Sequence, residues 1–521
     1  MKQAHLKKIR VVVALVFFLS LVFIFLDFRK LLPEFFYDSI TFLQFIPSFL
    51  KFITVFSITY LGFIIILVLT VLFGRIYCSA ICPLGILQDI ILWFKKKIKK
   101  KFRYKFSRPL DYLRYPFLAL PVITFLAGTV FFIGLLDPFS NFGRIISNLL
   151  QPLYIGLNNA GAWILEKVRI YFLYPEEISY AVPVTFIFTV FILVLITWMS
   201  LKRGRLYCNT ICPVGTLLGL LARISLFRIQ IIDNRCTRCG QCSFACKSTC
   251  ISIKDLTVDF SRCVGCYNCI SICPEDAIKY LNPGKQNAAN PELDKGRRKV
   301  IASIGLLFTG IFGLRKSLSA QDVPQNKQPT EIEPEKHFAV TPPGSLGIGH
   351  YTSTCTACHL CVSACPTQVL QPSFLEYGIT GLMQPHMDYE TNYCNEECVI
   401  CSEVCPSGAI LSLSAEAKKT VQIGQVCLIL ENCVVYTDHT ACGSCSEHCP
   451  TQAVRMVPFM GNLTIPEIRP EICVGCGACE HACPTRPFRA IYVDGHYIHQ
   501  VAKKPEEEEL EQPAIEEDFP F

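Results

Sequence analysis

Two cysteine runs between Cys236 and Cys273 have the residue types and spacing for electron-transfer chemistry. They read C-T-R-C-G-Q-C-S-F-A-C and C-V-G-C-Y-N-C-I-S-I-C-P. Each shows the C-x2-C-x2-C-x3-C spacing of a bacterial ferredoxin. There, three thiolates of one run hold a 4Fe–4S cube and the fourth cysteine ligates the cube of the other run. This spacing assigns Cys236, Cys239, Cys242 and Cys273 to one cluster, and Cys263, Cys266, Cys269 and Cys246 to a second. Zinc or disulfides are the alternatives, but zinc sites pair C-x2-C units and do not close on C-x3-C-P.

Four further runs lie in the C-terminal part of the chain. They comprise Cys355, Cys358, Cys361 and Cys365; Cys394, Cys398, Cys401 and Cys405; Cys433, Cys442, Cys445 and Cys449; and Cys473, Cys476, Cys479 and Cys483. With the first eight, these 24 cysteines provide for six 4Fe–4S clusters. Cys250 and Cys427 are left over, and neither is expected to be a ligand. The stretch C-T-A-C-H at 355–359 also matches a c-haem motif. It sits inside a full ferredoxin run, so the iron–sulfur reading takes precedence.

The remaining four cysteines lie in two matching motifs, G-R-I-Y-C-S-A-I-C-P-L-G-I-L from residue 74 and G-R-L-Y-C-N-T-I-C-P-V-G-T-L from residue 204. The shared C-x3-C-P pattern indicates an internal repeat of two helix pairs. Cysteines four apart share one face of a helical turn. Cys78, Cys82, Cys208 and Cys212 are therefore expected to converge about a pseudo-twofold axis and are the candidate catalytic set. Spacing alone leaves open whether they hold a further iron–sulfur or metal centre, act as redox-active thiols, or pack as small apolar groups.

The elements that position these groups fall into two classes. Apolar segments near 11–27, 52–73, 115–136 and 182–201 have the ~20 residues a membrane span needs. Residues 75–114 carry eleven Lys or Arg, while 29–51 and 137–181 carry three each. Positive-inside bias then places the N-terminus, the 75–114 loop and the chain after 201 in the cytoplasm. The net charge of +7 reads as membrane topology and not as nucleic-acid binding. The first span could alternatively be a signal peptide, but no small-residue cleavage site lies beyond it. His5 is the only histidine before His337, which excludes a bis-histidine haem from the spans. Asp27 and Asp137 end the odd spans, either as solvated loop acids or as proton acceptors for quinol.

The expected fold is a membrane α-helical bundle of four spans plus a short fifth, with two α+β bacterial ferredoxin-like domains. The membrane domain covers 1–228 and a cytoplasmic two-cluster domain 229–285. A linker, 286–350, begins with Arg297-Arg298 before an apolar run, 300–314, which reads as a Tat-like signal or a fifth span. Cleavage after Ser319-Ala320 would release the C-terminal half of the chain. A four-cluster domain at 351–500 is expected outside the cytoplasm, with a closing strand in 484–500 and a disordered acidic tail at 501–521.

Residues 1–280 resemble the NapH type of membrane ferredoxin, and 297–500 are similar to NapG, an exported four-cluster ferredoxin. In that family these are separate proteins; here they are joined. The resemblance implies a bacterial inner-membrane, multi-pass quinol dehydrogenase that passes electrons to an exported reductase or cytochrome. It also implies that the outer runs pair, with Cys483 joining Cys355, Cys358 and Cys361, and Cys365 joining Cys473, Cys476 and Cys479. The inner runs, 394–405 and 433–449, would pair likewise. Neither haem nor flavin is expected. Two other functions fit the residues: a reductive maturation factor for a metalloenzyme, and ferredoxin-driven electron export.

Overall fold

A computed structural model describes residues 5–57, 60–98, 103–176, 183–282 and 332–504. The twin-arginine segment, the apolar run 300–314, the Ser319-Ala320 site and residues 505–521 lie outside the described residues.

The helical half runs from α1 (His5–Leu26) to α13 (Pro213–Ala222). Two of its helices, α1 and α11 (Pro183–Arg203), are long and apolar enough to cross a membrane. The expected spans 52–73 and 115–136 are interrupted instead. The first is divided between α3 (Phe45–Val55) and α4 (Gly62–Phe73). Here Phe56 takes the left-handed conformation that ends a helix. The second is divided between α7 (Asp111–Leu126) and α8 (Phe131–Leu136), with Gly128 at φ 89° in the break. A glycine tolerates that conformation without a Cβ penalty.

The segments expected as loops between spans are helical and fold into the bundle. They form α2 (Glu34–Phe42) with α3 on one side. On the other, α9 (Pro138–Ile145) passes through a π-helical turn, Ile146–Leu150, into α10 (Gln151–Lys167). Every residue of α9 is buried. Neither Asp27 nor Asp137 is a solvated loop acid. Asp27 is buried and accepts from the Leu31 and Leu32 amides and the Tyr37 hydroxyl. Asp137 is buried and caps α9 through Ser140, accepting from its N–H and Oγ at 2.8 Å each. A carboxylate at that position satisfies orphan amides of the first turn.

The two ferredoxin regions are small α+β units. In the proximal one, β1 (Arg228–Ile231) pairs antiparallel with β4 (Ile278–Leu281), and β2 (Ile251–Ser252) with β3 (Thr257–Val258). In the distal one, β5 (Leu370–Pro372) pairs with β6 (Pro385–Met387). β7 (Val421–Leu428) pairs with β10 (Ile491–Val501), and β8 (Val454–Pro458) with β9 (Thr464–Ile468). The closing strand expected in 484–500 is thus β10.

The two regions meet opposite ends of α1. Lys7, in its first turn, reaches Ser271 of the proximal region at 3.4 Å. Lys30, just past its last turn, forms an ion pair with Glu403 of the distal region. At 1.5 Å per residue those ends are about 33 Å apart. One continuous buried core joins the helical half to the distal region.

Candidate functional site

In the proximal region Cys236, Cys239, Cys242 and Cys273 line one small cavity. Cys246, Cys263, Cys266 and Cys269 line another. The exchange of fourth cysteines is therefore the one that the spacing predicts. Cys250 is also in the second cavity, its Sγ 3.5 Å from that of Cys246.

The distal region pairs its runs differently from the expectation. Cys405 approaches Cys355, Cys358 and Cys361. Cys365 approaches Cys394 and Cys401, with Cys398 beside them. Cys483 joins Cys445, Cys442 and Cys433. Cys449 joins Cys473, Cys476 and Cys479. Neighbouring runs pair; the outer-with-outer and inner-with-inner arrangement is not found. The cause is helix packing. The helix Leu360–Ala364 lies on Ile400–Val404, and Ser444–Glu447 lies on Ala478–Ala482. Each of these carries the third cysteine of its run, so the fourth swings to the partner.

The local backbone fits a cube. All four runs with regular C-x2-C-x2-C spacing place left-handed residues two and four positions after the first cysteine. These are Arg238 and Gly240, Gly265 and Tyr267, Ala357 and His359, and Gly475 and Gly477. Left-handed residues turn successive amides to one side and build an anion-binding concavity. Amides already point at sulfur, from Gly475 to Cys473 at 3.3 Å, Ala453 to Cys449 at 3.2 Å and Ile410 to Cys405 at 3.4 Å. Runs 394–405 and 433–449, with C-x3-C and C-x8-C openings, lack the paired left-handed residues. Among the described residues, no group of three or more His, Cys, Asp or Glu is placed to hold a single metal ion. Burial pushes the Cys355 and Cys476 thiols up to about 12 and Cys473 to about 11. A metal centre must therefore displace their protons. Cys246 differs: a hydrogen bond from Cys250 holds it down at about 7.

The four C-x3-C-P cysteines converge as expected. Cys78, Cys82, Cys208 and Cys212 are all buried, and Cys212 lies within electrostatic reach of the other three. The two motif copies are cross-braced. Arg75 donates to the Cys208 carbonyl at 3.0 Å, and Arg205 donates to the Cys78 carbonyl at 2.7 Å. Each guanidinium passes over the glycine of the opposite copy. A Cβ at Gly85 would stand 2.7 Å from Arg205, and one at Gly215 2.9 Å from Arg75. Gln88 sits 3.4 Å from the Cys208 sulfur. Sequence reasoning named the thiols but not these arginines, although Arg is part of the shared G-R-x-Y-C pattern.

The quartet touches both ferredoxin regions. Toward the proximal one, Arg75 donates to the Ser261 carbonyl at 3.0 Å. Asp89 of α6 (Pro83–Ile98) binds Arg205, Arg10 and Lys247, the residue after Cys246. Burial opposes its charge, but Arg205, Lys247 and Arg10 prevail and hold the Asp89 carboxyl well below the usual range. Toward the distal one, the residue before each first cysteine is a tyrosine. Tyr77 receives the Phe45 amide at 3.2 Å, and Tyr207 donates to the Leu136 carbonyl at 3.1 Å. Asn141 bridges onward to Arg144 at 3.0 Å, and Arg144 lies within electrostatic reach of Cys355 and Cys358. At Gly134 and Gly143 a Cβ would collide with the Thr356 and Cys358 carbonyls. Next to Cys358, both nitrogens of His359 are engaged: Nε2 donates to Met383 O at 3.0 Å and Nδ1 faces Asn148 at 3.4 Å. Burial and Arg144 hold it down at about 3.

Models of 4Fe-4S binding domain families match residues 57–101 and 185–231, and also 256–279 and 349–371. A 4Fe-4S dicluster domain matches 440–486. The first pair spans both C-x3-C-P motifs. An uncharacterized protein of Methanocaldococcus jannaschii is 25% identical over 42% of this chain and 68% of its own length. The ferredoxin-type protein NapH of Haemophilus influenzae is 26% identical over 42% of this chain and 66% of its own. The ferredoxin-type protein NapF of Escherichia coli is 27% identical over 30% of this chain and 87% of its own. No solved structure matches. The chain is similar to the Nap-type ferredoxin proteins NapH and NapF, and its several 4Fe-4S binding domains make it an iron–sulfur electron-transfer protein.

Proposed function

We propose that the protein is a multi-pass inner-membrane quinol dehydrogenase that feeds an exported reductase or cytochrome. The proximal ferredoxin region would face the cytoplasm and the distal one the far side. The observation that carries this reading is the buried quartet, braced to Ser261 on one side and joined through Tyr207, Asn141 and Arg144 to Cys358 on the other. It offers a redox-capable group inside the helical half, between two sets of ferredoxin cysteines at opposite ends of a span-length helix.

In this reading the 24 ferredoxin-type cysteines hold six 4Fe–4S clusters, and the buried quartet a further iron–sulfur centre. When bound, such clusters accept and release single electrons at potentials set by burial and hydrogen bonding. The chain's own residues do the rest. Arg75 and Arg205 place fixed positive charge beside the quartet, 3.8 Å from the Cys78 sulfur and 4.0 Å from the Cys208 sulfur. Tyr77, Tyr207 and the all-buried α9 keep water from the quartet's distal side. The amides aimed at Cys405, Cys449 and Cys473 stabilise negative charge on sulfur.

A second reading, electron export driven by a reduced cytoplasmic ferredoxin, is favoured by the docking of the proximal region on the quartet through Arg75 and Lys247. One experiment separates them. Anaerobic, iron-replete protein is mixed with menaquinol or with reduced ferredoxin, and bleaching of iron–sulfur absorbance is followed. Reduction by quinol is expected. Protein that dithionite and ferredoxin reduce, but quinol does not, would overturn the first reading in favour of the second.

A further inference from the structure

A cavity of about 380 Å³ lies in the seam between the helical half and the distal ferredoxin region. Its lining includes Phe28, Ser147, Asn148, Gln151, Ile155 and Cys365. Pockets that take small organic ligands run to roughly 300–1,000 Å³. Three of these residues are placed by the π-helical turn Ile146–Leu150, which supplies Ser147 and Asn148 and hands over to Gln151. Turns of this kind are rare and occur often at functional sites.

Ser147 is the informative residue. It is only 8% exposed, and its Oγ has no hydrogen-bond partner among the described residues. A buried hydroxyl left unsatisfied is unfavourable, and a ligand oxygen in the cavity would satisfy it. The lining also has apolar residues. Ile155 and Pro152 are among them, and their neighbours on α10, Leu153, Tyr154 and Leu157, face outward from the protein. An occupant would thus meet the polar groups of the turn and have the exposed apolar surface of α10 beside it. A phosphate or lipid headgroup suits it less well. The lining cation, Arg29, is already held by Glu176 at 3.6 Å and the Tyr174 carbonyl at 3.1 Å.

We propose that this seam cavity binds the ring of a membrane quinone or quinol. Ser147 donates to one ring oxygen, and the isoprenoid tail runs out past Ile155 along α10. The site rests on the quinol reading and gives it a location, beside Cys365 at the distal end of the bundle. Only binding is inferred, and it requires no change in any other group.

The test uses the full-length, iron-replete protein in detergent. It is illuminated with a short-chain azidoquinone, and labelled peptides are identified by mass spectrometry. Label is expected on residues 147–155 or 363–372. Label confined to other segments overturns the inference. In parallel, Ser147→Phe should weaken binding of a decyl-substituted quinone at least tenfold, with iron content unchanged. Unaltered binding in that variant also overturns it. Should the phenylalanine variant fail to fold, the labelling of the unaltered protein decides. The two readings fail separately. Equal quinol-dependent reduction in Ser147→Phe and the parent sinks the cavity while the quinol reading stands. Label in the cavity with no quinol-dependent reduction keeps the cavity and sinks the quinol reading.

Discussion

The two halves of the helical bundle carry the same motif, yet they differ where the first has Asp89 and the second has Gly219. In the first copy the carboxylate gathers Arg10, Arg205 and Lys247. In the second copy the missing side chain admits Arg114, which donates to the Ser261 carbonyl at 2.9 Å and to its hydroxyl at 3.1 Å. A Cβ at Gly219 would run into both Arg114 and that carbonyl. Around the thiols, by contrast, most of the framework is mirrored: Arg75 matches Arg205, Gly85 matches Gly215 and Tyr77 matches Tyr207, while Gln88, beside Cys208, has Leu218 as its counterpart. The symmetric residues build the quartet. The asymmetric pair adds contacts to the proximal ferredoxin region, through Lys247 in one copy and through Arg114 and Ser261 in the other.

The sharpest break of the symmetric part is the double variant Cys78→Ser, Cys208→Ser. Quinol-linked reduction should be lost, by at least ~100-fold, because a hydroxyl is a far poorer soft-metal ligand than a thiolate. On the proposed reading, iron should remain near the 24 atoms that six clusters would supply, since no ferredoxin-type cysteine is touched. Full quinol-dependent reduction in the double variant would reduce the motif to a helix junction.

Next in size is Asp89→Asn. It leaves Arg205, whose side chain is fully buried, without its counter-charge. Breaking a buried pair costs about 3–5 kcal/mol, so the thermal midpoint should fall well below that of the parent. An unchanged midpoint would mean that the Cys78 carbonyl, which accepts from Arg205, and the Ser79 carbonyl, which accepts from Arg10 at 3.1 Å, suffice for these cations.

Gly219→Ala tests the other side of the comparison. Over-packing typically costs about 1–3 kcal/mol. The loss should fall on docking, seen as faster proteolysis of residues 229–282 with the distal region unaffected. Equal protection in variant and parent would show that docking does not depend on this glycine.

The smallest effect is expected from Cys250→Ala. Iron content should be unchanged, as for Cys427→Ala. Without the Cys250 donor the Cys246 thiol should titrate above its present value of about 7. Less thiolate is then available at neutral pH, and reconstitution of the apo-protein should slow most below pH ~7. Loss of about four irons would instead make Cys250 a ligand.

Much of this was legible in the residues. The C-x2-C-x2-C-x3-C spacing fixed the proximal exchange, because Cys246 and Cys273 have only each other's run to reach. In the distal region four runs offer several partners, and helix packing selects the neighbour, which spacing does not encode. The convergence of Cys78, Cys82, Cys208 and Cys212 followed from the repeat. The breaks near Phe56 and Gly128 did not, since apolar composition continues across them. The seam cavity was beyond reach: Ser147 and Cys365 are distant in sequence, and a π-helical turn leaves no periodic mark.

The crossed arginines bear on how the chain is made. Arg75 completes the turn at Cys208, and Arg205 completes the turn at Cys78. During synthesis the first motif is made more than a hundred residues before its brace exists. Until then a guanidinium and a cysteine carbonyl stay without their partners, and burying either would cost free energy. The first half therefore has reason to stay unclosed until the second has been made.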